Sequence, residues 1–340
     1  IKETFQKMKL LSNVSNTELI QAITLLSTYS KKIIKAKSNA PGEELPAVSC
    51  KRKDMLNLTL QNYKEYKGSI VQGYLRASKF LLENHIFNAR DLPYNTQLIP
   101  LSAILAVLGD EIENIGNKRK LMQWFWCGVF GELYGSANET RYALDLPQVI
   151  EWIKYNGPEP KTIYDANFSP SRLHTLKTRN SAAYKGVYAL LMDDETKDWL
   201  SATRIDFSTY FSESIDIHHI FPVAWCEKNK ISRSEYDCII NKTPLSGRTN
   251  RIVSGDAPSK CLGRIQKHAG VDSAAFQSIL KSHVLAPEFL YSDNFSGFFS
   301  DRKEQILQRI EKAINKTIPR GDTVSEEGTF NDNETQEDPN

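Results

Sequence analysis

Apolar positions recur at helical spacing through most of the first 200 residues. Over 16–37, Leu19, Ile23, Leu26 and Ile33 fall on one face behind Asn16-Thr17-Glu18 as a cap, and Lys31, Lys32, Lys35 and Lys37 form a basic end. Pro41, Gly42 and Pro46 break the pattern, Lys51-Arg52-Lys53 follows, and a second helical run is predicted over 54–83. Both basic clusters read as solvated helix ends, which the helix dipole favours. Residues 98–108 are apolar on every side, yet the run is shorter than the roughly 18 residues a membrane span needs, so it reads as a core helix. The run 118–134 carries Trp124, Phe125, Trp126, Phe130 and Tyr134 as an aromatic stripe, read as core. Glu139 to Asp145 leads through Pro147 into a helix over 149–155, which Gly157 and its flanking prolines end, and 182–192 reads as a further buried helix.

The pattern changes after residue 200. Ile215-Asp-Ile-His-His-Ile-Phe-Pro222 reads as a short half-buried strand that Pro222 stops, with adjacent histidines at its end. Neighbours on a flat strand point to opposite faces, so His218 and His219 can serve one site only where the strand ends or twists. A second apolar strand over 238–246 carries Asn241, and 247–253 reads as a short helix with Asn250 and Arg251. A final helix is predicted over 302–316.

Composition narrows the class. The 340 residues are 40% hydrophobic and 25% charged, as in an ordinary soluble protein, with no apolar run long enough to cross a membrane. Five scattered cysteines without a C-x-x-C pair argue against a disulfide framework or a cysteine zinc module and favour a cytoplasmic location. The net charge of +2 hides an acidic tail: seven acids and no Lys or Arg lie between Gly321 and Asn340, leaving +9 on residues 1–320. Such a body attracts polyanions, while the tail is too polar to fold. Between Trp225 and His268, nine Lys and Arg face four acids, a modest excess.

The three pieces His218-His219-Ile220-Phe221-Pro222, Asn241-Lys-Thr-Pro-Leu245 and Asn250-Arg251 stand in the order of a known motif. The segment resembles the HNH nucleases, whose hairpin and helix pinch one divalent metal ion. It is similar also to the C-terminal domain of GmrSD-type modification-dependent restriction proteins, through His-Ile-Phe-Pro followed by Ala224-Trp225 and the Asn-Lys-Thr-x-Leu strand. Upstream, the run Asp91-Leu-Pro-Tyr-Asn-Thr-Gln-Leu-Ile-Pro100, Glu139-Thr-Arg141 and Arg179-Asn-Ser-Ala-Ala-Tyr184 resemble the helical region of that group, so the likeness covers about 50–300. That group carries an N-terminal nucleotide-binding domain with an Asp-Gly-Gln-Gln-Arg string, which does not occur here. Together with a start at Ile1, this implies the C-terminal part of a longer protein.

The resemblance implies an α+β chain: a helical domain over 1–200, an HNH (ββα-metal) nuclease domain over 201–300, a C-terminal helix over 301–318 and a disordered acidic tail over 319–340. It implies a metal-dependent DNA endonuclease of restriction or phage defence, acting on DNA that carries a modification in that group. Phosphodiester hydrolysis needs an activated water, a cation on the scissile phosphate and help for the departing oxygen. His219 is the expected general base and must be neutral to act. By the motif, His218 and Asn250 are the expected ligands of Mg²⁺ or Mn²⁺, leaving positions open for water and phosphate. Asn241 is expected to tie the hairpin and orient His219, and Asp216 to orient His218 or touch the metal. Arg251, Lys242, Arg248 and Lys260 are the candidate phosphate contacts, each with a solvated surface position as its plain alternative. Trp225 is expected to cap the loop after Pro222, and the remaining histidines to be surface or core residues. A different class stays open: a DNA-binding or regulatory module whose nuclease is silent without the missing N-terminal domain. So does a structural fragment in which the two histidines bond within the hairpin.

Overall fold

The computed structural model describes residues 1–38, 44–136, 138–193 and 195–320. Pro41 and Gly42 of the expected loop, and the acidic tail from 321, lie outside them. The chain is mostly helical with one two-stranded sheet. The longer helices of the first part are α1 (Asn16–Ser38), α2 (Leu60–Glu83), α3 (Leu98–Leu108), α4 (Ile115–Phe130), α5 (Glu139–Tyr155) and α6 (Ala182–Leu191).

Local chemistry explains their ends. The cap of α1 is Ser15, one residue before the expected Asn16: its hydroxyl accepts from the Glu18 N–H while Glu18 accepts from the Ser15 N–H at 2.7 Å, a reciprocal capping box. The run expected over 54–83 is two helices, because a short one (Arg52–Leu56) stops and Thr59 caps α2 through the Asn62 N–H. Pro147 lies inside α5, so the helix expected from 149 begins at Glu139. Proline removes one backbone donor, and here the packing of Leu146, Val149 and Ile150 in the core outweighs that loss.

Helix α3 is buried nearly all round, as its composition dictates, and packs across α2. Their contact depends on Gly73, where a Cβ would come within 2.0 Å of the Ser102 carbonyl oxygen. The aromatic stripe is core: Trp124, Phe125, Trp126, Phe130 and Tyr134 are buried, and the two indole N–H groups donate to Asp145 and Asn84.

Strands β1 (Asp216–His219) and β2 (Lys242–Leu245) pair antiparallel, with His218 opposite Thr243 and His219 opposite Lys242. Between them run α7 (Val223–Lys228), a short helix Arg233–Tyr236 and a 3₁₀ turn, Ile239–Asn241. The second strand is therefore shorter than expected, since 239–241 curl before pairing begins. Helices α8 (Gly247–Val253), α9 (Pro258–Ala269), α10 (Ser273–Ser282) and α11 (Phe295–Ile314) complete the chain, with α11 starting earlier than the expected 302. One apolar core reaches from Phe5 to Ile318 and includes Ile220, Phe221, Ile239, Ile240 and Leu245 of the hairpin region. Residues on either side of position 200 share it, and α11 packs along α4. A smaller cluster of Phe87, Tyr188, Met192, Ile205, Tyr210 and Ile215 seats the start of β1 against the helices. No helix among the described residues is long and apolar enough to cross a membrane.

Candidate functional site

The hairpin is held from three sides before any chemistry is considered. Asn241, fully buried, accepts from the Phe221 N–H at 2.9 Å and donates to the carbonyls of Phe221 and Tyr236, each at 2.9 Å. Its own carbonyl accepts from the Ile220 N–H. The carboxamide thus clamps the turn after β1 to the turn before β2, and it bonds to neither imidazole. This corrects the expected direct contact with His219: the tying role holds, and it is exerted on backbone two residues further along.

A second anchor is His283, at the end of α10 and fully buried. Its Nε2 lies 2.6 Å from the Lys197 carbonyl, which can only accept, so Nε2 carries the proton and Nδ1 accepts from the Thr243 hydroxyl at 2.8 Å. The neutral ring is thus satisfied at both nitrogens. Burial pulls its pKa down to about 4; the Lys197 carbonyl opposes this and Arg302 adds to it. The sign follows. Unfolded, the ring binds a proton below about 6.5; folded, it resists until about 4, so between these values the unfolded state holds the extra proton. The contribution is complete above the upper value and is lost as pH falls toward the lower, about 3 kcal/mol in all. Urea unfolding at a series of pH values checks it, with His283→Gln flattening that part of the profile.

Arg302 supplies the third anchor. It is fully buried on α11 and donates to the carbonyls of His283, Val284 (2.9 Å) and Lys242 (2.9 Å), joining β2 to the end of α10. Asp198 does the same for α8. Its carboxylate accepts from the Ser246 N–H at 2.8 Å and from the Thr249 hydroxyl, while the Ser246 side chain caps the helix through the Thr249 N–H. The helix carrying Asn250 and Arg251 is therefore locked to the end of β2 one residue after the strand stops.

On this scaffold His218 and His219 close β1, both half-buried. The Nε2 atoms of both are buried and have no hydrogen-bond partner among the described residues. The Asp237 carboxylate is 3.5 Å from His219 Nε2, an ion-pair distance that is too long for a good hydrogen bond. Burial lowers the pKa of His218, Asp216 opposes that and Arg179 adds to it. Burial likewise lowers His219, helped by Lys242 and by His218 and opposed by Asp237. Both imidazoles are neutral at neutral pH, ready to accept a proton or a cation.

The remaining expected residues divide. Asn250 is half-buried on α8, and neither it nor Arg251 makes a side-chain hydrogen bond or ion pair among the described residues. Arg248 and Arg251 line a cavity of about 420 Å³ with Leu200, Ser201, Ile252 and His268, a basic recess beside α8. Lys260 is exposed on α9, near the Asp256–Arg264 ion pair. Lys242 is a correction. It is only 7% exposed, and its ammonium donates to the Lys177 carbonyl at 2.8 Å and to Asp237 at 3.1 Å, so it is an internal strut rather than a free phosphate contact. Asp216 is engaged too: its carboxylate accepts from the Arg179 guanidinium and from the Ile217 N–H at 2.6 Å, and it makes no bond to His218. Trp225 caps the loop after Pro222 as expected, its ring 5.1 Å from that of Phe221. All five cysteines are buried and unpaired.

Sequence reasoning missed Arg179, Asp198 and Asp237 as parts of this region, while His283 is a hydrogen-bonded core residue and His268 a surface residue as expected. Arg179 stood inside a string noted for resemblance but carried no local signal of its own. The others have no spacing that distinguishes them from surface residues.

No family model matches the chain. It is 28% identical over 226 residues to an uncharacterized protein of Methanocaldococcus jannaschii, an alignment covering 59% of this chain and 38% of that protein. The chain spans about two fifths of the length of this curated relative, whose name carries no activity.

Proposed function

We propose that the chain is a metal-dependent endonuclease that hydrolyses DNA phosphodiester bonds at the β1–β2–α8 unit. The observation that carries this reading is the pair of neutral imidazoles ending β1, each with a buried Nε2 that has no hydrogen-bond partner among the described residues, on a hairpin that leads into a helix bearing Asn250 and Arg251. A buried nitrogen without a partner is costly unless a ligand or water meets it. His219 takes the proton from the attacking water. The new oxygen joins phosphorus as the bond to the 3′ oxygen breaks, leaving a 5′-phosphate and a 3′-hydroxyl. His218 offers an imidazole nitrogen and Asn250 an amide oxygen as the residues that would hold Mg²⁺ or Mn²⁺. When bound, the ion would neutralise charge on the scissile phosphate.

The donor set is lean: among the described residues no group of three or more His, Cys, Asp or Glu side chains could hold a metal. Two neutral donors fit an ion held jointly with substrate phosphate and water, and not a closed structural site. Arg251 and Arg248, without an acidic partner among the described residues, suit the flanking phosphates. A role in restriction or phage defence, a modified DNA as substrate, control by an N-terminal nucleotide-binding domain and a cytoplasmic location rest on the resemblance alone.

The test is supercoiled plasmid incubated with the protein in Mg²⁺ or Mn²⁺. Nicked or linear product that requires the ion and disappears with a chelator is the expected result. Salt-sensitive DNA binding with no product under any metal would favour the regulatory module instead.

A further inference from the structure

Half of the buried side-chain polar atoms without a partner among the described residues belong to five neighbouring groups: Asp91 Oδ1, Arg179 Nε, Tyr188 OH, His218 Nε2 and His219 Nε2. Asp91, Arg179 and Tyr188 touch one another through Arg179, and His218 lies near enough to feel the Arg179 charge. Arg179 donates to Asp216 on β1, its Nε lies 3.7 Å from Asp91 Oδ1, and its guanidinium sits 5.3 Å over the Tyr188 ring. Asp91 is buried and accepts from the Tyr210 hydroxyl, and Arg90 approaches its other side at 3.6 Å. Two arginines thus flank one buried carboxylate, directly behind the strand that carries the histidines. The Arg179–Asp216 pair opens to solvent, with side chains 26% and 42% exposed.

We propose that Arg179 is a substrate-phosphate clamp, parked on Asp216 in the free protein and transferred to a phosphate oxygen of bound DNA. This inference rests on the nuclease reading and deepens it. Arginine's planar fork matches a phosphate as well as a carboxylate, so an exchange of one for the other keeps its geometry. Asp91 lies beside Nε at 3.7 Å without a hydrogen bond to it, and a terminal nitrogen carries the bond to Asp216. The position also answers why the site would recruit a residue from outside the hairpin: Lys242, the expected cation within it, is bonded internally. A salt bridge on this partly exposed surface is weak enough to be surrendered to a phosphate. Arg90, across Asp91, is held in place by its bond to the Tyr210 hydroxyl at 3.2 Å.

The experiment is equilibrium binding of the full chain to a short DNA duplex in chelator, followed by fluorescence anisotropy over a range of salt, with thermal unfolding and Mn²⁺-dependent cleavage measured on the same proteins. Arg179→Gln is expected to weaken binding about tenfold and to reduce the salt slope by about one contact. Asp216→Asn, which releases Arg179, is expected to bind several-fold more tightly than wild type, and a structural pair could not produce that inversion. Arg179→Lys keeps the charge without the fork and should recover binding more than cleavage. If the Gln variant does not fold, Lys and Asn decide between the readings. Equal salt slopes in all variants, with both Arg179→Gln and Asp216→Asn losing only thermal stability, would overturn the clamp and leave the nuclease reading standing. A wild-type protein that neither binds nor cuts DNA overturns both.

Discussion

His219→Ala is expected to fold and melt as the wild type while nicking plasmid about 10³-fold more slowly, the loss typical of a removed general base. The fold is spared because the truncation breaks no hydrogen bond to Nε2 among the described residues and gives up only the long 3.5 Å contact with Asp237. Apolar contact is the only other cost, small for a half-buried side chain at a strand end. Activity, under the proposed mechanism, would lose the group that accepts the water's proton, and neither Lys242 nor Asp237 could replace it: the ammonium has no lone pair and the carboxylate is held by that ammonium at 3.1 Å. Single-turnover cleavage against circular dichroism melts measures both sides. Wild-type cleavage in the variant would remove His219 from the mechanism.

Asn241→Asp has the opposite signature, a loss of the fold around the site. The amide nitrogen donates to two carbonyls, and a carboxylate can donate to neither. The change places a charge in a fully buried position facing two carbonyl oxygens, for an expected cost on the order of 3 kcal/mol or more. Urea unfolding should show a lowered midpoint, and cleavage should fall with it because the turns that position β1 are no longer clamped. An Asn241→Asp protein as stable as wild type yet inactive would mean that the amide acts on substrate, against the bonds described above.

Some of this was legible in one dimension. The helix over 247–253 and the core helix over 98–108 match their expected limits, since each is written in contiguous residues: a capping Ser246 with Thr249 three positions on, and an unbroken apolar run. The aromatic stripe and the cap by Trp225 were equally local, whereas the strand expected to run to Pro222 stops at His219. Helix breaks were harder. The start of α5 at Glu139 was obscured by Pro147, because the penalty for an internal proline is visible in sequence while the core packing that outweighs it is not.

The sequence by itself determined the helical architecture, the position of the hairpin and the helix after it, and the residue types available there for proton transfer and cation binding, because periodicity, caps and motif spacing act over a few residues. Only the tertiary structure decided which of those groups are free. Arg179 reaches Asp216 across 37 positions, Thr243 reaches His283 across 40, and Arg302 reaches Lys242 across 60. Such pairs leave no periodic trace in the chain, yet they set whether a lysine is an internal strut or a surface cation, and whether an imidazole is anchored at both nitrogens or left with one unbonded.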